Sequence, residues 1–188
     1  LFIGCGDANE KPAGGEKGKL LVGMSIRDLA NPYYVQIKEG AELFLNNVVG
    51  KGNYELTMYE SQGSDEKQIN DVKAFIARVE DGNGILYVDP NNAPNAAVIA
   101  DLCEEAGIYW NTTWSYADGI YPMDYEYYVM HQTADNVAGA YETAKAMFES
   151  FETPGEGKIV AVQGMLSNDA SIDREIGWKK ALEEYPNV

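Results

Sequence analysis

What most constrains this chain is an alternation of short apolar runs with longer stretches of helical period. "LLVGMSI" (20–26) is apolar almost without a break, which suits a strand covered on both faces. The stretch after it carries Tyr34, Ile37, Ala41, Phe44 and Leu45 on one helical stripe. "YELTMYE" (54–60) predicts a second strand, and 65–81 a helix with Ile69, Val72, Ile76 and Val79 inward. "GILYVD" (84–89) and "IYWN" (108–111) predict a third and a fourth strand. Between them "NAAVIADLCEEAG" predicts a helix with Val98, Leu102 and Ala106 inward. A strand and a helix recur every ~25 to 35 residues, the size of a βαβ crossover. The expected fold class is α/β, built on a doubly wound parallel sheet.

Residues 113–126, "TWSYADGIYPMDYE", have no period and read as a loop. "YYVMHQ" (127–132) predicts another strand, "ADNVAGAYETAKAMFESF" a helix, "KIVAVQG" (158–164) a strand and "SIDREIGWKKALEEY" a last helix. A second sheet is begun and not completed. The expected organisation is an N-terminal α/β lobe over 19–134, then the start of a truncated C-terminal α/β lobe over 135–188.

Residues 1–18 read differently. "LFIGC" looks like the apolar end of a secretory signal running into a bacterial lipobox, with Gly4 before a Cys5 that would carry lipid. A short buried strand is the other reading. The Gly, Pro, Lys and Glu of "GDANEKPAGGEKGK" then make a polar tether. The second cysteine, Cys103, falls on the apolar side of a helix and reads as a small core residue.

Charge and motif content exclude several functions. Fourteen Lys and Arg against thirty Asp and Glu give a net charge of −16, with no basic cluster, so nucleic acid is not an expected partner. The loop after the first strand, "SIRDLANP", lacks the glycines of a dinucleotide site, and "GGEKGK" lacks P-loop spacing. There is no G-x-S-x-G elbow. The single histidine, His131, sits inside a predicted strand and reads as structural. One His and two distant Cys offer no metal-ligand spacing, and no cofactor is expected.

What does gather at strand ends is a set of rings and multi-donor polar groups. Asn31 followed by Pro32 is a preferred cap and first residue, so a helix starts there and puts Tyr33 and Tyr34 in its first turn. Asp89 ends the third predicted strand, and Trp110 and Asn111 end the fourth. Eight of the twenty residues from Tyr109 to Tyr128 are Tyr or Trp. Aromatic faces suit the C–H groups of a sugar, and Asn, Asp and Arg can each hold two hydroxyls. Each residue also has a plain structural reading. Tyr34 would open the helix's core stripe, Asp89 would make a turn with Pro90, and the aromatic loop would pack between lobes.

"NPYYVQIKEGAE", "GILYVDPNNA", "ADNVAGAYETA" and "GKIVAVQGMLSNDASIDREIGWKKAL", in that order, resemble the ribose-type periplasmic binding proteins, the substrate-binding components of sugar ABC importers. The resemblance runs from Lys19 to the last residue. It implies a two-lobed fold with the paired aromatics of the first motif sandwiching a sugar ring. By position it implies ligand contacts from Asn31, Tyr33 and Tyr34, with Ser25 beside them, from Asp89, and from Arg174 on the second lobe. It also implies a hinge near Ala134 and Asp135, and a longer parent protein. The chain departs from the ribose branch after the fourth strand, where relatives carry Asp-Arg and this sequence reads "WNTTWSYADG". The longer loop after the first strand places Arg27 and Asp28 near the mouth.

The resulting expectation is a monomeric extracytoplasmic protein, periplasmic or lipid-anchored to the bacterial cell membrane. It captures a monosaccharide or sugar-like molecule between two lobes for a membrane permease and performs no covalent chemistry. A sensor presenting bound sugar to a receptor or kinase would be separated by neighbouring genes. A repressor effector domain would need a basic helix-turn-helix ahead of it. A sugar-metabolising α/β enzyme would turn its sugar over.

Overall fold

The apolar run at Leu20–Ile26 becomes β1, the strand from which the sheet is built. In a computed structural model, which describes residues 18–188 apart from 81, 116, 165 and 167, β1 pairs in parallel with β2 (Tyr54–Glu60) and with β3 (Gly84–Val88). β4 (Tyr109–Thr113) and β5 (Tyr128–Gln132) continue the sheet, giving the order β2-β1-β3-β4-β5 with every pairing parallel. The connecting helices are α1 (Pro32–Leu45), α2 (Asp65–Ile76) and α3 (Ala93–Ala106).

This order places a site. From β1 the chain moves to one side to form β2, then passes back across β1 to form β3 and β4. Right-handed crossovers therefore put α1 on one face of the sheet and α2 and α3 on the other. The core packed under α2 and α3 contains Val72, Phe75, Leu86, Val88, Ile99, Cys103 and Trp110. Gly23 faces it, and a Cβ there would lie 2.7 Å from the Phe75 ring. Val22, Met24 and Ile26 are buried on the opposite face. At the carboxyl ends of β1 and β3 the following segments diverge to opposite faces, and that crevice is where open α/β sheets bind ligands.

Local chemistry starts α1 where the sequence predicts. Asn31 Oδ1 accepts the Tyr33 N–H at 3.0 Å and Pro32 opens the first turn. Tyr34 and Leu45 are buried, but Phe44 is 63% exposed. At 3.6 residues per turn Leu45 falls about 20° from Tyr34 around the helix axis and Phe44 about 80°. The inward face of α3 also differs from the expected one. Ala96, Ile99, Ala100 and Cys103 are buried, whereas Val98 is exposed. The bulky Ile99 and its i+4 partner Cys103 set the buried side.

Two further expectations are corrected. α2 ends at Ile76, five residues before the predicted end. Residues 158–164 form no strand: Val160 and Val162 are 91% and 93% exposed, and among the described residues no neighbouring strand pairs with them. A strand needs a partner for its backbone groups, so local pattern alone cannot make one.

After β5, α4 (Asn136–Glu149) and α5 (Asp169–Glu184) pack on each other. Asp135 caps α4 and Asn168 caps α5. They pack tightly at Gly177, where a Cβ would lie 2.3 Å from the Val137 carbonyl oxygen. Phe148, Ala144 and Ala181 form the small buried cluster between them.

Candidate ligand-binding site

The crevice at the ends of β1 and β3 is built around one carboxylate. Asp89, immediately after β3, is 1% exposed, and its backbone N–H donates to Ser25 O at 2.8 Å. The Tyr34 hydroxyl donates to Oδ2, and Arg27 Nη2 lies 3.3 Å from Oδ1. Burial raises the Asp89 carboxyl above its ordinary value, while Arg27 and the Tyr34 bond pull it down. Burial likewise pushes the Tyr34 phenol up, and the neighbouring Asp89 charge adds to it. Both Asp89 oxygens are engaged inside the protein, so this residue fixes Tyr34 and Arg27 in place.

Arg27 carries the network outward. Its Nη2 also donates to Pro90 O and to Ser115 Oγ, each at 3.0 Å. Ser115 Oγ accepts a second bond, 3.0 Å from Asn168 Nδ2, the cap of α5. A ring cluster lies alongside. Tyr33 is 37% exposed and stands edge-on to Tyr34 at 5.1 Å and to Trp114 at 5.8 Å. The Arg174 guanidinium carbon lies 5.9 Å from the Trp114 ring centre.

A second polar layer supports this one from α2. Gln68, wholly buried, donates Nε2 to Ser25 Oγ at 3.2 Å and to Asp89 O at 2.9 Å. Its Oε1 accepts from Asn91 N and Asn95 Nδ2, both at 2.9 Å. Ser61 donates to Asn91 Oδ1 at 2.7 Å. These bonds tie the end of β3 and the residues after it to α2, with Asn91 Nδ2 the buried atom of the layer that finds no partner among the described residues.

The structure therefore brings Tyr33, Tyr34, Asp89 and, across Trp114, Arg174 to one place, with Asn31 at the adjoining helix cap. It does not bring three others. Ser25 is buried one layer below and faces α2. Trp110 is 1% exposed in the core, stacked on Tyr128 at 4.1 Å. Asn111 pairs with Tyr87 and Met130 in mid-strand. The reason is length: β4 runs to Thr113, so the strand end falls at Trp114 and Ser115 rather than at Trp110 and Asn111. The Thr-Thr pair was the available signal, since threonine favours strands. Arg27 is the residue that the longer loop after the first strand is expected to bring near the mouth, whereas Ser115 and Asn168 carry no local signal of their contact, because only the fold brings them together.

Other readings can be placed too. Cys103 is fully buried, and its thiol is pushed up to about 12 by burial and by Glu104, as befits an inert core residue. His131 lies in β5, with Nδ1 2.7 Å from Thr112 Oγ1. Among the described residues no cluster of three His, Cys, Asp or Glu is placed to hold a metal ion, and no helix is long and apolar enough to cross a membrane. Cys5 and residues 6–17 of its tether lie outside the described residues. A groove of about 1160 Å³ runs between α4, α5 and residues 158–164. Its floor is the apolar side of the helix pair, and it meets the ring cluster only at Trp114, Asn168 and Arg174.

Comparison with known proteins agrees with the fold. The ribose import binding protein RbsB of Salmonella typhimurium is 26% identical over 173 residues, covering 87% of this chain and 50% of that protein. The chain thus spans about half the length of the curated relatives it matches. Among solved structures, a twin-arginine translocation pathway signal protein from Burkholderia phytofirmans superposes with a TM-score of 0.83 at 36% identity, over 90% of this chain and 51% of that one. An ABC transporter solute binding protein from Mycobacterium smegmatis, with bound glycerol, gives 0.72 at 25% identity, over 90% and 54%. The periplasmic binding protein domain matches residues 22–188. With that match over nearly all the described residues, and the parallel sheet and switch-point crevice beneath it, this chain belongs to the periplasmic binding protein family.

Proposed function

We propose that this chain is part of an extracytoplasmic substrate-binding protein that captures a monosaccharide or sugar-like polyol in an interlobe cleft for ABC import. The observation that carries the reading is the cluster at the β1 and β3 ends, where the Tyr33 and Trp114 rings stand beside the Asp89-anchored pair of Arg27 and Tyr34. Rings give apolar faces to sugar C–H groups, and a fixed guanidinium gives directional donors to hydroxyls. The relative named for ribose import supports the ligand class.

In this reading residues 19–134 form the first lobe and 135–188 begin the second, with the hinge near Ala134 and Asp135. Asn168 and Arg174 act from the second lobe, so closure assembles the site. Nothing in the mechanism makes or breaks a covalent bond. Cys5 tethers the protein to the membrane, and the permease is the partner that receives the ligand.

A thermal-shift screen of pentoses, hexoses, polyols and furanose-like compounds on the full-length protein tests this. Stabilisation that grows with the concentration of at least one sugar is expected. A flat response to all of them, or turnover of any, contradicts the reading.

A further inference from the structure

Trp114 stands one residue past β4 with φ at 63°. A bulky side chain adopts this left-handed backbone only where its surroundings hold it there, and such strain gathers at functional sites. The holding contacts come from both parts of the chain. Its N–H donates to Gln132 O at 3.0 Å, and its carbonyl accepts from Thr133 Oγ1 at 3.3 Å. The indole Nε1 donates to the Tyr33 hydroxyl at 2.6 Å, and the Arg174 guanidinium lies over the ring.

We propose that Trp114 is a positioning residue that couples Tyr33 to Arg174 across the cleft and so sets which ligands fit. The proposal rests on the sugar-binding reading above. An indole N–H can only donate, so Tyr33 accepts from it and keeps its own O–H to donate to a ligand. Arg174, steadied over the indole face, also offers donors alone. The pair therefore suits a compact ligand with acceptor oxygens on two sides and an apolar face between them.

The test uses the full-length protein and calorimetry with D-ribose, L-arabinose, D-fructose and myo-inositol. Trp114→Gly removes the ring, and glycine adopts a positive φ without strain, so the fold should melt within a few degrees of wild type. Affinity for the best-bound sugar should fall about tenfold, the scale of one lost hydrogen bond plus one cation–π contact. Trp114→Phe keeps a ring under Arg174 and should lose less. That loss should shrink in a Tyr33→Phe background, because the bond is already gone and only the weaker hold of a phenyl ring on the guanidinium remains.

Trp114→Gly binding within about twofold of wild type, or Trp114→Phe costing the same with and without the Tyr33 hydroxyl, overturns the positioning role alone. Should Trp114→Gly fail to fold, the Trp114→Phe and Tyr33→Phe cycle decides. Wild-type protein that binds none of the four sugars and responds to no compound of the thermal-shift screen overturns the sugar reading, and the proposal with it.

Discussion

Asn168 donates its side-chain amide to Ser115 Oγ at 3.0 Å, joining the cap of α5 to the end of β4. The same oxygen accepts from Arg27, so one buried hydroxyl links β1, β4 and α5. Ser115→Ala removes the acceptor, so the buried Asn168 Nδ2 loses its partner while Arg27 Nη2 keeps Pro90 O and Asp89 Oδ1. The full-length variant should lose roughly 1–3 kcal/mol of stability, the cost of an unsatisfied buried polar group. Urea unfolding measures it, and an unchanged midpoint would show that the link carries no energy.

Asp89 gives a pH signature with a definite sign. Burial raises its folded-state value above the ordinary 3.8, against the pull of Arg27 and Tyr34. Between the unfolded and folded values the native state holds the extra proton, so the contribution is full below 3.8 and is lost as pH rises through the folded value. Asp89→Asn cannot titrate. Relative to that variant, wild type should lose stability as pH climbs out of the acid range. Denaturation midpoints of both proteins across that range check it, and parallel curves would contradict the assignment.

Gly177 sets the approach of α4 and α5. A Cβ there would meet the Val137 carbonyl oxygen at 2.3 Å, and backbone cannot yield as a flexible side chain does. Gly177→Ala should destabilise the protein by about 1–3 kcal/mol, the usual cost of overpacking, despite alanine's better helix propensity. A variant that melts at or above wild type would mean that the helices sit farther apart.

Cys5 is testable by fractionation. Cys5→Ala should move the protein out of the membrane fraction in its native host. A variant that stays membrane-bound through detergent-free washing would show that Cys5 does not carry the anchor.

The features legible in the sequence are those set within a few residues. The Asn31–Pro32 cap needs only its own turn, and the apolar run of β1 needs only to be short and continuous. The end of β4 is hidden because the ring-rich stretch after Tyr109 has no period to read, so the strand runs past Trp110 and Asn111 to Thr113. Residues 158–164 have a strand's pattern but form none, since pairing depends on a neighbour that pattern cannot supply. Ser115 and Asn168 are 53 residues apart and meet only in the folded chain. Tyr34 proved to be both things at once, the first buried residue of α1 and a donor to Asp89.

In the proposed function two parts of the chain close on one sugar, with Arg174 acting from the side opposite Tyr33 and Tyr34. The direct measurement is calorimetric affinity with small-angle scattering, with and without sugar, on full-length wild type, Arg174→Ala and Tyr34→Ala. Arg174 is exposed, so its removal should leave stability nearly unchanged. It should weaken binding by about 1.5–3 kcal/mol, as for hydrogen bonds to charged groups, and leave the bound form more open. Tyr34→Ala should cost both affinity and stability, because that ring is buried and bonded to Asp89. If Arg174→Ala binds sugar with wild-type affinity and compacts as wild type does, Arg174 is an ordinary surface residue and the two-sided site is wrong.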